Sequence, residues 1–507
     1  LDRGASHQWQ SYFFAIAQAP NHAMKKENNI MMTKKIALLA GCIQIFFTAV
    51  GCAPQNDPAP VEPGTSIPVE YWLTKSNQTA LFEKQQKSLS FVYTANTHPV
   101  IEVDTMQSFQ TMDGFGYTLT GGSAILLNKM EPAARTAILK ELFSTEGNGI
   151  GVSYLRLSIG ASDLSDRVFS YNDLPPGETD PEMKKFSLAP DRADLIPVLK
   201  EILAINPGIK LMGSPWSPPT WMKTNNHSVG GSLKPEFYDA YARYFVKYIQ
   251  EMAAEGIRID AVTVQNEPLH PGNNPSLLML ANEQAAFIRQ SLGPAFRKAG
   301  IQTKIIIYDH NADRIDYPLT VLGDAEARQY VDGTAFHLYG GSIEALSQVH
   351  QAYPDKHLYF TEQWIGAPGN FAGDVRWHVK NLIVGAPRNW CRTVLQWNLA
   401  ADPNQDPHTE GGCTECLGAL TISGNQVVKN PAWYIIAHAS RFVRPGSVRI
   451  SSTSPAGLPN VGFRTPDGKT VLIVLNDNSA SQTFNIRFQG RLAVVSLDAG
   501  AVATFVW

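Results

Sequence analysis

Two glutamates stand in settings suited to sugar chemistry. Glu267 lies in Gln265-Asn266-Glu267-Pro268 and Glu362 in Thr361-Glu362-Gln363-Trp364, each directly after a short apolar run. Hydrolysis of a glycosidic bond takes two carboxyl groups placed across one sugar. One must hold a proton at working pH, which requires a raised pKa; the other must be ionised to attack the anomeric carbon. Asn266, just before one of them, is placed to bond a sugar 2-OH, where the transition state tightens its hold. Arg156 can keep a nucleophilic carboxylate charged through a charge-assisted hydrogen bond.

Other polar and aromatic residues gather at the same kind of position. Apolar runs lead into Arg156-Leu-Ser-Ile-Gly-Ala-Ser-Asp163, Ser214-Pro-Trp216-Ser-Pro-Pro-Thr-Trp221-Met-Lys-Thr-Asn225, Tyr308-Asp309-His310-Asn311, His337-Leu-Tyr339 and Gln396-Trp397-Asn398. Each has a bland alternative when taken alone. A strand-end Glu is usually solvated or salt-bridged, Asn-Glu-Pro is compatible with a simple turn, and a Trp is often core. Seven successive strand ends carrying such groups point instead to one site.

The elements that must position these groups follow from periodicity. Strands are predicted over 114–118, 154–159, 210–214, 261–265, 304–308, 333–338, 357–361 and 393–397. Helical patterns lie between them, for example over 131–143, 191–205, 235–255 and 282–299. Strands alternating with helices imply a parallel sheet, and eight such units imply a closed (β/α)8 barrel of about 109–442. Chemistry in such a barrel sits where the strands end. No glycine-rich dinucleotide-binding turn follows the first strand. From about 443 to 507 short alternating runs split by Gly, Pro, Asn and Asp predict a β-sandwich, and residues 91–108 are strand-like enough to join it. The expected fold is α/β, a (β/α)8 TIM barrel with a side β-sandwich.

The first residues read differently. Residues 1–51 contain an upstream segment and a signal peptide: Thr33-Lys34-Lys35, an apolar run from Ile36 to Val50, then Gly51-Cys52. This is similar to a bacterial lipoprotein signal with Cys52 as the lipidated residue, although Ala49 stands where Leu is usual. An ordinary cleaved signal is the alternative. Residues 52–90 are Pro-rich at their start and read as a tether and N-terminal extension. The expected location is extracytoplasmic, in the outer membrane or periplasm, with membrane attachment only through a lipid anchor.

The chain has 507 residues, a net charge of −3 and 17% charged residues, so a nucleic-acid partner is not expected. Of five cysteines, Cys391 reads as a buried free thiol. Cys413-Thr-Glu-Cys416 lacks the second ligand pair of a structural zinc site; a local disulfide or two reduced thiols fits better.

Together these stretches resemble glycoside hydrolase family 30, the family of acid β-glucosylceramidases and microbial β-1,6-glucanases. The motifs are Ser-Pro-Trp-Ser-Pro-Pro-Thr-Trp-Met-Lys-Thr-Asn, Ala-Val-Thr-Val-Gln-Asn-Glu-Pro, His-Leu-Tyr, Phe-Thr-Glu-Gln-Trp and Gln-Trp-Asn-Leu-Ala. The resemblance runs from about Phe109 to the C-terminus. It implies Glu267 as acid/base and Glu362 as nucleophile of a retaining mechanism. It implies that Asn266 holds the 2-OH, that Arg156, His337 and Tyr339 orient and charge-tune the nucleophile, and that Asp163, Trp216, Trp397 and Asn398 bind the glucose of the −1 subsite. It implies no metal and no organic cofactor, a β-glucan or glucoside substrate, and a monomer. Glu362-Gln363-Trp364 and the Asn- and Gly-rich loop after Glu267 look closer to the β-1,6-glucanase branch than to glucosylceramidases. A glucosylceramidase, another retaining hydrolase such as a xylanase, and a non-catalytic carbohydrate-binding lipoprotein are the alternatives.

Overall fold

The computed structural model describes residues 66–507; Cys52, the signal peptide and the start of the tether lie outside the described residues. Eight parallel strands close into a barrel. They run over Gly114–Leu119, Tyr154–Ser158, Lys210–Ser214, Ala261–Thr263, Lys304–Asn311, Val331–His337, His357–Glu362 and Cys391–Asn398, with the first pairing to the last. The fourth strand is shorter than its apolar pattern predicts, because the chain turns at Glu267 with φ 43°. The predicted helix over 282–299 consists of helices Ala281–Phe287 and Gly293–Ala299 joined by a π-helical segment, Ile288–Leu292. The helix Tyr238–Ala254 buries Tyr241, Tyr244, Phe245 and Tyr248 on one face, as their helical spacing requires.

Side-chain alternation explains how the barrel carries a site. Tyr154, Met212, Ala261, Ile306, Ala335, Tyr359 and Leu395 form one buried apolar layer inside the barrel. Two residues further along the same strands come Arg156, Ser214, Thr263, His337, Thr361 and Trp397, on the same inward face. An apolar floor is thus capped by a polar layer one step nearer the strand ends.

The fifth strand breaks this rule. Two residues after Ile306 is Tyr308, yet its ring packs outward against Tyr317 and Phe336. Tyr308 and Asp309 have φ of 71° and 67°, and the register against the sixth strand slips between Ala335 and Phe336. This bulge turns Asp309 inward instead of Tyr308.

The side sheet is built from both ends of the chain. Its order is Glu83–Lys84, Ile67–Thr74, Val502–Val506, Thr470–Leu475, Asn460–Arg464, Val448–Ser452, Val100–Thr111, Gln482–Phe488 and Arg491–Leu497, with Leu89–Phe91 also pairing with Ile67–Thr74. The strands Ile67–Thr74 and Val502–Val506 went unrecognised in the sequence. Ile67–Thr74, within the stretch assigned to tether and extension, pairs with Val502–Val506 over five residue pairs. Pro68 and the Pro-rich run before it hide this strand, although Pro68 pairs only with the short strand Leu89–Phe91. Among the described residues Cys391 is a free, buried thiol, and Cys413 and Cys416 form a disulfide.

Candidate active site

The strand ends surround a cavity of about 300 Å³. Asp163, Trp216, Asn266, Glu267, Tyr339, Glu362 and Trp397 line it. Arg156 and His337 do not; they lie fully buried beneath it and act on the carboxylates above. Asn398 is buried outside the lining, where its Nδ2 donates to the Cys416 carbonyl at 3.2 Å. Through that bond it braces the cavity wall. The lining also includes His310, Asn311 and Trp364, which stood among the strand-end groups without a role, and His270, Asn273 and both disulfide cysteines, which did not.

Glu267 and Glu362 each offer an oxygen to a group, shared with His337, whose atoms all lie within 4.8 Å of one another. An inverting hydrolase needs room for a water and separates its carboxyls by ~6.5–9.5 Å; ~5–5.5 Å is the spacing for retention. With one oxygen of each within 4.8 Å of the other, the pair is close enough for a double displacement.

The two carboxyls have different partners. Glu362 accepts from Arg156 Nη1 at 2.6 Å and from the Tyr339 hydroxyl at 3.0 Å. Glu267 has one close partner, His337 Nδ1, at 3.0 Å. The same ring nitrogen is 3.8 Å from Glu362, so His337 serves Glu267 more directly than the nucleophile it was expected to tune. Burial pushes the Glu362 carboxyl up, with His337 and Arg156 opposing and the Glu267 charge adding. Burial also opposes charge on Glu267, but the His337 hydrogen bond and charge outweigh it and hold Glu267 low.

That direction looks wrong for a proton donor until the shared proton is followed. His337 is buried, which disfavours its charge, but Glu362 and the hydrogen bonds to Asp309 and Glu267 raise it to about 9. Below that pH one proton resides on the Glu267–His337 hydrogen bond. Moving it from Nδ1 to the Glu267 oxygen leaves neutral imidazole and neutral acid with the same total charge. The pair can thus present Glu267 as an acid without taking up another proton.

Asp309 fixes the direction of this exchange. It accepts from His337 Nε2 at 3.1 Å, Thr361 Oγ1 at 2.6 Å, Arg156 Nη2 at 2.7 Å and Thr263 Oγ1 at 2.7 Å. Although burial opposes it, the Arg156 charge and these donors hold its carboxyl far below the ordinary range. A permanent carboxylate at Nε2 keeps the proton there and leaves Nδ1 for Glu267. Asp309 stood among the strand-end groups of the sequence and is the main site residue to which the motifs gave no role.

Arg156 joins these parts. Its guanidinium reaches Glu362, Asp309 and the Asn266 Oδ1 at 2.6 Å, and Nε donates to Ser214 at 3.0 Å. Arg has no acceptor, so Asn266 must turn its oxygen toward it and keep its Nδ2 donors free. Trp216 stacks over the guanidinium at 4.8 Å and lies 5.4 Å from Trp397, forming an aromatic wall. Asp163 closes that end; burial first, then the charges of Glu362 and Glu267, raise it to about 7.

The fold and this pair of buried carboxyls define a glycoside hydrolase. Residues 112–443 match the glycosyl hydrolase family 30 TIM-barrel domain and residues 446–505 the family's β-sandwich domain, and the chain belongs to this family. The endo-1,6-beta-D-glucanase of Neurospora crassa is 34% identical over 397 residues, which cover 74% of this chain and 80% of that protein. The lysosomal acid glucosylceramidase of Mus musculus is 30% identical over 433 residues, covering 79% and 82%. The solved structure of the endo-beta1,6-glucanase BT3312 has a TM-score of 0.80 and 37% identity, covering 87% of this chain and 99% of that one.

Proposed function

We propose that this protein hydrolyses β-1,6-linked glucan with retention, Glu362 acting as nucleophile and Glu267 as acid/base. The carrying observation is a carboxyl pair at retaining distance in which one member is bound by Arg156 and Tyr339 and the other shares a proton with His337. Glu362 attacks the anomeric carbon while Glu267 gives its proton to the departing glycosidic oxygen. A glycosyl ester on Glu362 results. Glu267, now ionised, takes a proton from water, whose oxygen attacks the anomeric carbon and frees Glu362. Asn266 Nδ2 donates to the 2-OH. Asp163, Trp216 and Trp397 hold the sugar in the −1 position.

The glucan assignment rests on kinship and on the cavity mouth. The N. crassa relative and the BT3312 neighbour are endo-1,6-β-glucanases. Among the described residues, Tyr339 is the one exposed large apolar side chain lining the cavity, whereas a ceramide tail calls for a sizeable apolar patch. The test is kcat/KM on a β-1,6-gluco-oligosaccharide against detergent-dispersed glucosylceramide at one pH. A value about tenfold higher for the lipid would overturn the glucan assignment and leave the catalytic pair intact.

The chain is further proposed to work outside the cytoplasm, tethered through a lipid on Cys52, on the strength of its basic, apolar and small-residue leader followed by Pro-rich sequence. Cys52→Ala should move the protein from the membrane to the soluble fraction with unchanged kcat/KM on an aryl β-glucoside. Unchanged fractionation would remove the anchor.

A further inference from the structure

The Cys413–Cys416 disulfide lies on the cavity wall, and residues 409–417 form a strap that ties several strand-end loops together. Thr409 N–H donates to the Asp163 carbonyl at 2.8 Å. The Thr409 hydroxyl donates to the Asn274 carbonyl at 2.5 Å, and Asn274 Nδ2 returns a bond to the Glu410 carbonyl at 3.0 Å. At the other end Cys416-Leu417 pairs with Ile365-Gly366, just beyond Glu362, and Ala367 N–H donates to the Glu415 carbonyl at 2.7 Å. The strap thus joins the loops after the second, fourth and seventh strands, while Asn398 holds the Cys416 carbonyl from the eighth.

Its position against Asp163 is close. A Cβ at Gly412 would lie 2.4 Å from the Asp163 carbonyl oxygen, so the backbone there has no slack. The Cys413 backbone, next to Gly412, favours the charged form of the Asp163 carboxyl against burial. Cys416 packs with Leu164, Trp216 and Trp397, and half-buried Cys413 packs on that cluster.

We propose that the disulfide-closed strap is a positioning device for Asp163, setting this carboxyl against the bound sugar. Residues 413 and 416 form part of the cavity wall and act on the reaction through Asp163. This inference rests on the glycosidase assignment above. Opening the disulfide frees the backbone at 412–413, which packs on the Asp163 backbone, and loosens the approach of that carboxyl to the ligand, an effect in the range of one charged hydrogen bond.

The experiment compares oxidised and dithiothreitol-reduced full-length protein, with reduction verified by alkylation and mass. On an aryl β-glucoside, reduction should lower kcat/KM about tenfold, mainly through KM, and reoxidation should restore it. The Cys413→Ser/Cys416→Ser double variant should match the reduced protein and ignore the reductant. In Asp163→Asn, reduction should change kcat/KM by less than about twofold, because the device has lost what it positions. A staple serving only stability would weaken both backgrounds alike, and that result overturns the proposal. So does a reduced wild type within about twofold of the oxidised one. Should the double variant fail to fold, reduction of protein already folded still decides the matter. Titration with glucose, followed by Trp fluorescence, gives the same comparison without turnover. A reduction-sensitive binding shift in a protein with no hydrolytic activity would uphold the strap and overturn the glycosidase assignment alone.

Discussion

Replacing Asp309 by Asn keeps the shape of the group and removes its charge. The consequences follow from its five donors. In the wild type Oδ2 receives Arg156, Thr263 and Ser214, and Oδ1 receives His337 and Thr361. An amide has one acceptor oxygen, so either orientation sets an NH2 against groups that were donating. If it faces His337, the ring must accept at Nε2 and carry its proton on Nδ1. That proton then points at Glu267, which can no longer share it as an acid. Reversal of a catalytic histidine tautomer in this way costs ~10³–10⁴ in turnover. If the amide faces Arg156, a fully buried guanidinium keeps only Glu362 as counter-charge, and breaking such a pair costs ~3–5 kcal/mol of stability. We therefore expect Asp309→Asn to lose at least ~10² in kcat/KM on an aryl β-glucoside and ~3 kcal/mol of unfolding free energy in urea. A variant within threefold of wild-type activity would refute the role given to Asp309, since the tautomer would then not depend on its charge.

Further predictions concern the same groups. Glu362→Ala should lose essentially all turnover, while Glu267→Ala should keep more activity on activated aryl glucosides and be rescued by azide as the β-glucosyl azide; the reverse pattern would exchange the two roles. NMR of the first-formed sugar should show the β-anomer, and an α-anomer would exclude double displacement. Because burial raises Glu362, which must be ionised to attack, the acidic limb of kcat/KM should lie above the ordinary Glu range of ~4.3. The basic limb should fall toward pH 9, where the Glu267–His337 pair loses its proton. His337 should also leave a mark on stability. Its pKa rises from 6.5 to about 9 on folding, so its contribution is complete below ~6.5 and lost as pH rises through 9, ~3 kcal/mol in all. Urea unfolding at pH 6 and pH 9.5 measures this loss, and a flat profile would contradict it.

Much of the site was legible because a parallel barrel converts sequence order into geometry. Each apolar run must end at the same rim, so polar groups after each run converge whatever their separation in the chain. Glu267, Glu362, Arg156, Asp163, Trp216, Asn266, His337, Tyr339 and Trp397 were found in this way, and all cluster within one polar layer or just above it. Asp309 was named at its strand end, but its role escaped for a definable reason. Strict alternation from Ile306 assigns the inward place to Tyr308, and only the backbone reversal at 308–309 exchanges the two. A left-handed turn at two successive non-glycine residues costs ~1–3 kcal/mol each and leaves no mark in a hydrophobic pattern. The position of Asn398 at the rim was legible, but its bond to the Cys416 carbonyl depended on the strap at 409–417, whose folding back no periodicity announces. The strained turn and the strap do related work. The strain at 308–309 aims a permanent negative charge at Arg156 and His337, so that the carboxylates above are held in unequal settings before any sugar arrives. The strap then limits where that sugar sits. Charge placement is set from below by the strands and ligand placement from above by the loops, and Asp163, whose carboxyl feels the charges of Glu362 and Glu267, is where the two meet.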